Sequence, residues 1–142
     1  PVIFLALYLA ITTMRRKSLA IMSSNFTEEE MLRSTVSANF FGITSKGAGQ
    51  MRGNGPMVLT KYKLWFMLLM PSEVIEIPLV HITSMEIRKS HLGKMTPYPL
   101  LYVEFTVGTA EDSAAWLVRD PQKWIDNIND LRAALKKESE NA

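Results

Sequence analysis

The chain is 142 residues long with a mass of 16.1 kDa, room for one ordinary domain and a short appendage. It contains no cysteine, which excludes a disulfide framework and a thiolate metal site. The formal net charge is +2, but from residue 35 onward twelve Lys/Arg face eleven Asp/Glu, a net of +1 that is not the basic footprint of a nucleic-acid binder.

The excess positive charge sits near the start. Residues 2–11, "VIFLALYLAI", are uncharged, and the first fourteen residues hold only two threonines as polar side chains before Arg15-Arg16-Lys17. As a helix this run would measure about 21 Å, against about 30 Å for a bilayer core. Because the chain begins at proline rather than methionine, upstream residues are expected. A signal peptide would carry its charges ahead of the apolar run, not behind it. Residues 1–17 are therefore expected to be the C-terminal part of a transmembrane helix, with Arg15, Arg16 and Lys17 as its basic stop. The positive-inside preference then makes this a single-pass membrane protein with its domain in the cytoplasm. The rival reading is a buried amphipathic or core helix. Three membrane-proximal cations would also attract anionic lipid, by about 1 kcal/mol each.

Residues 18–33 read as a juxtamembrane linker. Thr27 and Glu30 have capping-box spacing, and Phe26 and Met31 occupy staple positions, so a short helix from near Glu28 is expected, with a flexible tether as the alternative. From Ser34 the apolar period becomes two. Strands are expected over 35–44, 57–60, 63–70, 73–79, 82–89, 100–107 and 114–119, with a polar loop at 90–99. The pattern then turns helical. Asp120 is a candidate N-cap, Pro121 suits the first helical position, and Trp124, Ile128, Leu131 and Leu135 form one apolar stripe.

Seven short strands followed by one amphipathic helix must bury one sheet face, in two packed sheets or a barrel. The fold class expected is mainly β, a curved sheet or half-open barrel over 34–138 capped by the C-terminal helix, with 139–142 as a tail. Burying the four stripe residues would contribute about 6–10 kcal/mol before ordering entropy is counted.

The stretch "GAGQMRGNG" (47–55) holds four of the seven glycines. A dinucleotide fingerprint needs G-x-G-x-x-G between a strand and a helix; here the spacing is one residue too long and a strand follows. The expectation is a bulge and bend, with Gly53 and Gly55 taking positive φ around Asn54. A backbone nest for an anion, with Lys46 and Arg52 nearby, is the competing reading.

The order and spacing of "ANFFGITSKGAGQMRGNGPMVLT" (38–60), "EIPLVHI" (76–82), "RKSHLGK" (88–94), "PLLYVEF" (99–105) and "AAWLVRDPQKW" (114–124) resemble the pleckstrin-homology superfold. More narrowly, they resemble the GRAM-like or PH-like domains of small bacterial single-pass membrane proteins. The resemblance covers about 34–137. It implies a half-open barrel behind a membrane helix, with no catalytic centre and with a phospholipid headgroup or a protein as ligand. Headgroup-binding relatives carry several cations in the first interstrand loop and second strand; this chain has only Lys46, Arg52, Lys61 and Lys63 there.

His81 and His91 lie at opposite ends of one expected strand and should not share a metal ion. Glu111-Asp112 reads as a solvated hairpin tip, and Trp65, Trp116 and Trp124 as core. Arg88, Lys89, His91 and Lys94, four potential cations within seven residues, form the strongest anion-binding candidate, against the plainer reading of a solubilising loop. The function expected is a non-enzymatic, membrane-tethered binding or scaffold module contacting anionic phospholipid or a protein partner, with no cofactor, metal or nucleic acid. The alternative is a small enzyme or a small-ligand-binding β-barrel whose pocket the sequence does not reveal.

Overall fold

The computed structural model describes residues 1–142. A helix, α1 (Val2–Asn25), precedes seven strands: β1 (Arg33–Ile43), β2 (Gly53–Leu59), β3 (Lys63–Leu69), β4 (Ser72–Pro78), β5 (Ile82–His91), β6 (Lys94–Val107) and β7 (Ala110–Leu117). A second helix, α2 (Pro121–Glu140), ends the fold. The strands form one antiparallel sheet in the order β4-β3-β2-β1-β7-β6-β5, curled into a half-barrel.

The curl gives the sheet an inner and an outer face, and strand alternation divides the side chains between them. Phe40, Phe66 and Trp116 meet at the centre of the inner face, with ring centroids 5.4–5.8 Å apart. The stripe on α2 seals this core: Trp124, Ile125 and Ile128 are buried in it, and Leu131 and Leu135 pack at its margin.

The outer face carries two smaller apolar patches. On β1–β3, Val58 and Trp65 are covered by Met22 and Phe26, with Val36 and Met67 at the margin. The second half of α1 therefore docks on the back of the sheet. The first half does not dock. From Val2 to Ile11 its large apolar side chains are 54–82% exposed.

The structure corrects the membrane-helix expectation. No helix of the chain is long and apolar enough to cross a membrane. The helix does not stop at the basic triplet but continues to Asn25, because Arg and Lys are good helix formers and Ser18 and Met22 gain a surface to pack against. Residues 18–25 are thus helix rather than linker. The capping-box bonds do form: the Thr27 amide donates to Glu30 Oε1 at 3.0 Å, and the Glu30 amide to Thr27 Oγ1 at 3.3 Å. They close a single turn and no helix follows, since Leu32 already donates to the Leu59 carbonyl as the sheet begins.

Two further expectations fail locally. Gly53 and Gly55 do not take positive φ; the left-handed glycines here are Gly42 and Gly47. Gly55 serves close approach instead, because a Cβ built there would lie 1.7 Å from the Met67 carbonyl oxygen. The expected loop at 90–99 is a hairpin that turns on Leu92-Gly93, both at positive φ as a tight two-residue turn requires. Its ladder breaks where residues 96–99 stand opposite Lys89 alone, a bulge containing Pro97 and Pro99, which have no amide to donate.

Candidate functional site

The bulge folds the tip of the β5–β6 hairpin back over the outer face of β6, β7 and β1. There it covers the second outer patch, Phe41, Leu100, Tyr102 and Ala115. His91 is buried against this patch, its ring 5.7 Å from that of Tyr102 and its Nε2 2.9 Å from the Gly42 carbonyl oxygen. Gly42 sits at a β1 bulge with φ of +112°, and Leu92 and Gln50 crowd the space a side chain there would need. Gln50 Oε1 accepts from the Ile43 amide at 2.7 Å, and Gln50 Nε2 donates to the Gly47 carbonyl at 2.6 Å. The glycine-rich loop is therefore closed on its own glutamine side chain.

Four of the six residues expected to bind an anion gather around this patch. The Arg52 guanidinium lies 4.0 Å from the Phe41 ring and that of Arg88 3.6 Å from the Tyr102 ring. His91 is buried beside Tyr102, and Lys94 faces it across the hairpin. Arg88 also pairs with Glu86, and Tyr102 donates to Glu104 at 3.0 Å. Lys46 pairs with Glu73, and Lys89 is exposed on the bulge. Arg88 thus ties the base of the β5–β6 hairpin to Tyr102 and Arg52 covers Phe41 from the loop before β2, each such contact contributing about 0.5–1 kcal/mol. His81 is exposed at the turn before β5, so the two histidines do not meet.

Burial holds the His91 imidazole below its ordinary value of 6.5, and the positive charges of Arg88 and Lys94 add to this against the favourable Gly42 bond. Above pH 6.5 the ring is neutral whether the chain is folded or not. Below that the unfolded chain takes up the proton first, so folding stability is lost as pH falls toward the lower folded value. The melting temperature is expected to drop more between about pH 7 and about pH 5 in the native chain than in His91→Gln. Parallel profiles would remove His91 from the account.

A second gathering of cations is not visible as a run in the sequence. Arg15 from α1, Arg33 from the first residue of β1 and Arg119 from the β7–α2 corner line one cleft of about 450 Å³, with Asp120 at its rim and Trp124 in its wall. Arg33 is fixed there: its Nε donates to Asn127 Oδ1 at 2.5 Å, and its guanidinium lies 5.7 Å from the Trp124 ring. Of the basic triplet only Arg15 reaches this cleft, while Arg16 and Lys17 stay exposed on α1. The only signal of the cleft in the sequence was Arg15 itself; Arg33 and Arg119 are single cations distant in the chain.

Comparison with known protein families returns no matching family, and comparison with curated proteins returns no match.

Proposed function

We propose that the chain is a membrane-tethered, non-enzymatic binding module of PH-like build whose ligand is anionic phospholipid. One observation carries the reading. A single helix has an apolar half that nothing in the molecule covers and a docked half, and Arg15, at their junction, enters the arginine cleft. A patch of exposed apolar side chains this continuous marks a membrane or partner surface. Even its threonines suit an apolar medium: Thr12 donates to the Tyr8 carbonyl at 3.0 Å and Thr13 to that of Leu9 at 2.7 Å. Residues 2–14 reach about 20 Å along the axis, enough to bury in lipid while the basic triplet stays at the headgroups.

The PH-like reading is supported by seven antiparallel strands in a half-barrel with a C-terminal helix sealing the core. The linear strand order leaves β4 and β5 as sheet edges, which favours a protein partner by strand addition as the second reading. A nitroxide scan along α1 of the intact chain with phosphatidylcholine vesicles tests the tether. Labels over residues 3–11 should be reached by oxygen and shielded from a water-soluble relaxation agent, and those at the exposed positions Lys17, Leu19, Ala20, Ser23 and Ser24 the reverse.

A further inference from the structure

We propose that the seam between α1 and β1 is a two-compartment site for one anionic amphiphile, its phosphate headgroup among Arg15, Arg33 and Arg119 and its acyl chain along the underside of α1. This rests on the membrane reading above and names the place where the lipid is held.

The head compartment is built from three elements, so its charge is made by the fold rather than by a run of residues. Arg15 and Arg119 have no carboxylate partner, and the Arg33 Nη groups make no hydrogen bond. One carboxylate, Asp120, stands at the rim, with Lys123 Nζ 4.0 Å from it as partial compensation. Planar guanidinium forks with free donors match phosphate oxygens in pairs, which lysines would not.

The tail compartment adjoins it. A cleft of about 290 Å³ under α1 shares Arg15, Val36 and Ser37 with the head compartment and is walled by Ile11, Met14 and Leu69. The opening has a cause in the register. Val36 and Ser37 stand opposite Pro56 alone, a bulge on β1 facing a residue with no amide to pair. Ser18, which also lines this cleft, is 1% exposed and its hydroxyl has no hydrogen-bond partner. A buried hydroxyl is ordinarily satisfied, and here a glycerol or ester oxygen between head and tail would satisfy it. Free phosphate would fill the head compartment and leave both the apolar walls and Ser18 unused. Ile11 and Met14 also belong to the apolar run of α1, so the tail groove continues along the helix into the bilayer.

Binding of the intact chain to vesicles of phosphatidylcholine, with and without a minor fraction of phosphatidic acid, tests the site. Three proteins are compared: the native chain, Arg119→Gln, and Lys137→Gln, which removes the same charge from an exposed position on α2 outside the cleft. Phosphatidic acid should tighten binding of the native chain by about tenfold, as expected for paired guanidinium–phosphate contacts. Arg119→Gln should lose that gain, and Lys137→Gln should keep it. Equal losses in the two variants would reduce the effect to general surface charge and overturn the site while leaving the tether standing. Displacement from the doped vesicles by inorganic phosphate, with sulfate at equal ionic strength inactive, would overturn the lipid assignment in favour of a free-phosphate site. Failure to bind either vesicle would sink the membrane reading itself.

Discussion

Replacing Trp124 with alanine is expected to lower the free energy of unfolding by about 3–5 kcal/mol. The indole is 2% exposed and belongs to the single inner core, where α2 closes on the sheet. Removing it leaves a hole bounded by side chains from several strands, and these cannot collapse without disturbing the ladder. The loss also reaches the outer surface, because the Arg33 guanidinium lies against the same ring. At this chain length the melting temperature should fall by about 10 °C, measured by circular dichroism against the native chain. Leu135→Ala, at the half-buried margin of the same stripe, is the control and should cost far less. An unchanged melting temperature in Trp124→Ala would mean that α2 does not seal the core.

Gly55→Ala should be at least as damaging although it adds only one methyl group. Gly55 is buried on β2, and the new carbon would sit 1.7 Å from the Met67 oxygen and 2.8 Å from the Met67 carbonyl carbon on β3. Both are backbone atoms, so no rotamer change relieves the clash and the strands must separate or slip. The expected cost is about 3 kcal/mol or more, above the usual range for a surface glycine. A second effect should follow. Val58 and Trp65, a facing pair on the same two strands, carry the patch on which α1 rests, so hydrogen exchange at residues 18–25 should quicken in the variant. Gly49→Ala is the control, since nothing lies within 4 Å of a side chain there. Native stability in Gly55→Ala would refute the close approach of β2 and β3.

These two residues also show what was legible in the sequence. Trp124 could be placed because its helix repeats apolar residues at spacings of four, three and four, a local signal that survives without the rest of the fold. The strands were legible for the same reason, by alternation. Gly55 was seen as special but for the wrong reason, because a neighbouring strand's carbonyl leaves no mark on the glycine's own segment. The β5–β6 hairpin was lost to its two prolines, which read as loop residues and prove to be a bulge inside a strand pair. The basic triplet read as a terminus for α1, whereas the surface that prolongs the helix lies on β2 and β3, far along the chain.

The candidate sites divide along the same line. Arg88, His91 and Lys94 were adjacent in sequence and so drew attention, yet the fold sets two of them against Tyr102 and turns the loop into a flap. Arg33 and Arg119 are 86 positions apart in the numbering and meet only because the start of β1 and the end of β7 share a corner of the sheet. Convergence of this kind depends on strand order, which alternation does not encode.

The account turns on α1 being one rod divided between two solvents. Nitroxides placed singly at Phe4 and Leu19 of the intact chain, bound to phosphatidylcholine vesicles, measure this most directly. The Phe4 label should relax with oxygen and ignore the water-soluble agent, and the Leu19 label should do the opposite. Two labels equally open to the aqueous agent would contradict the account, leaving a half-barrel whose leading helix lies wholly in water.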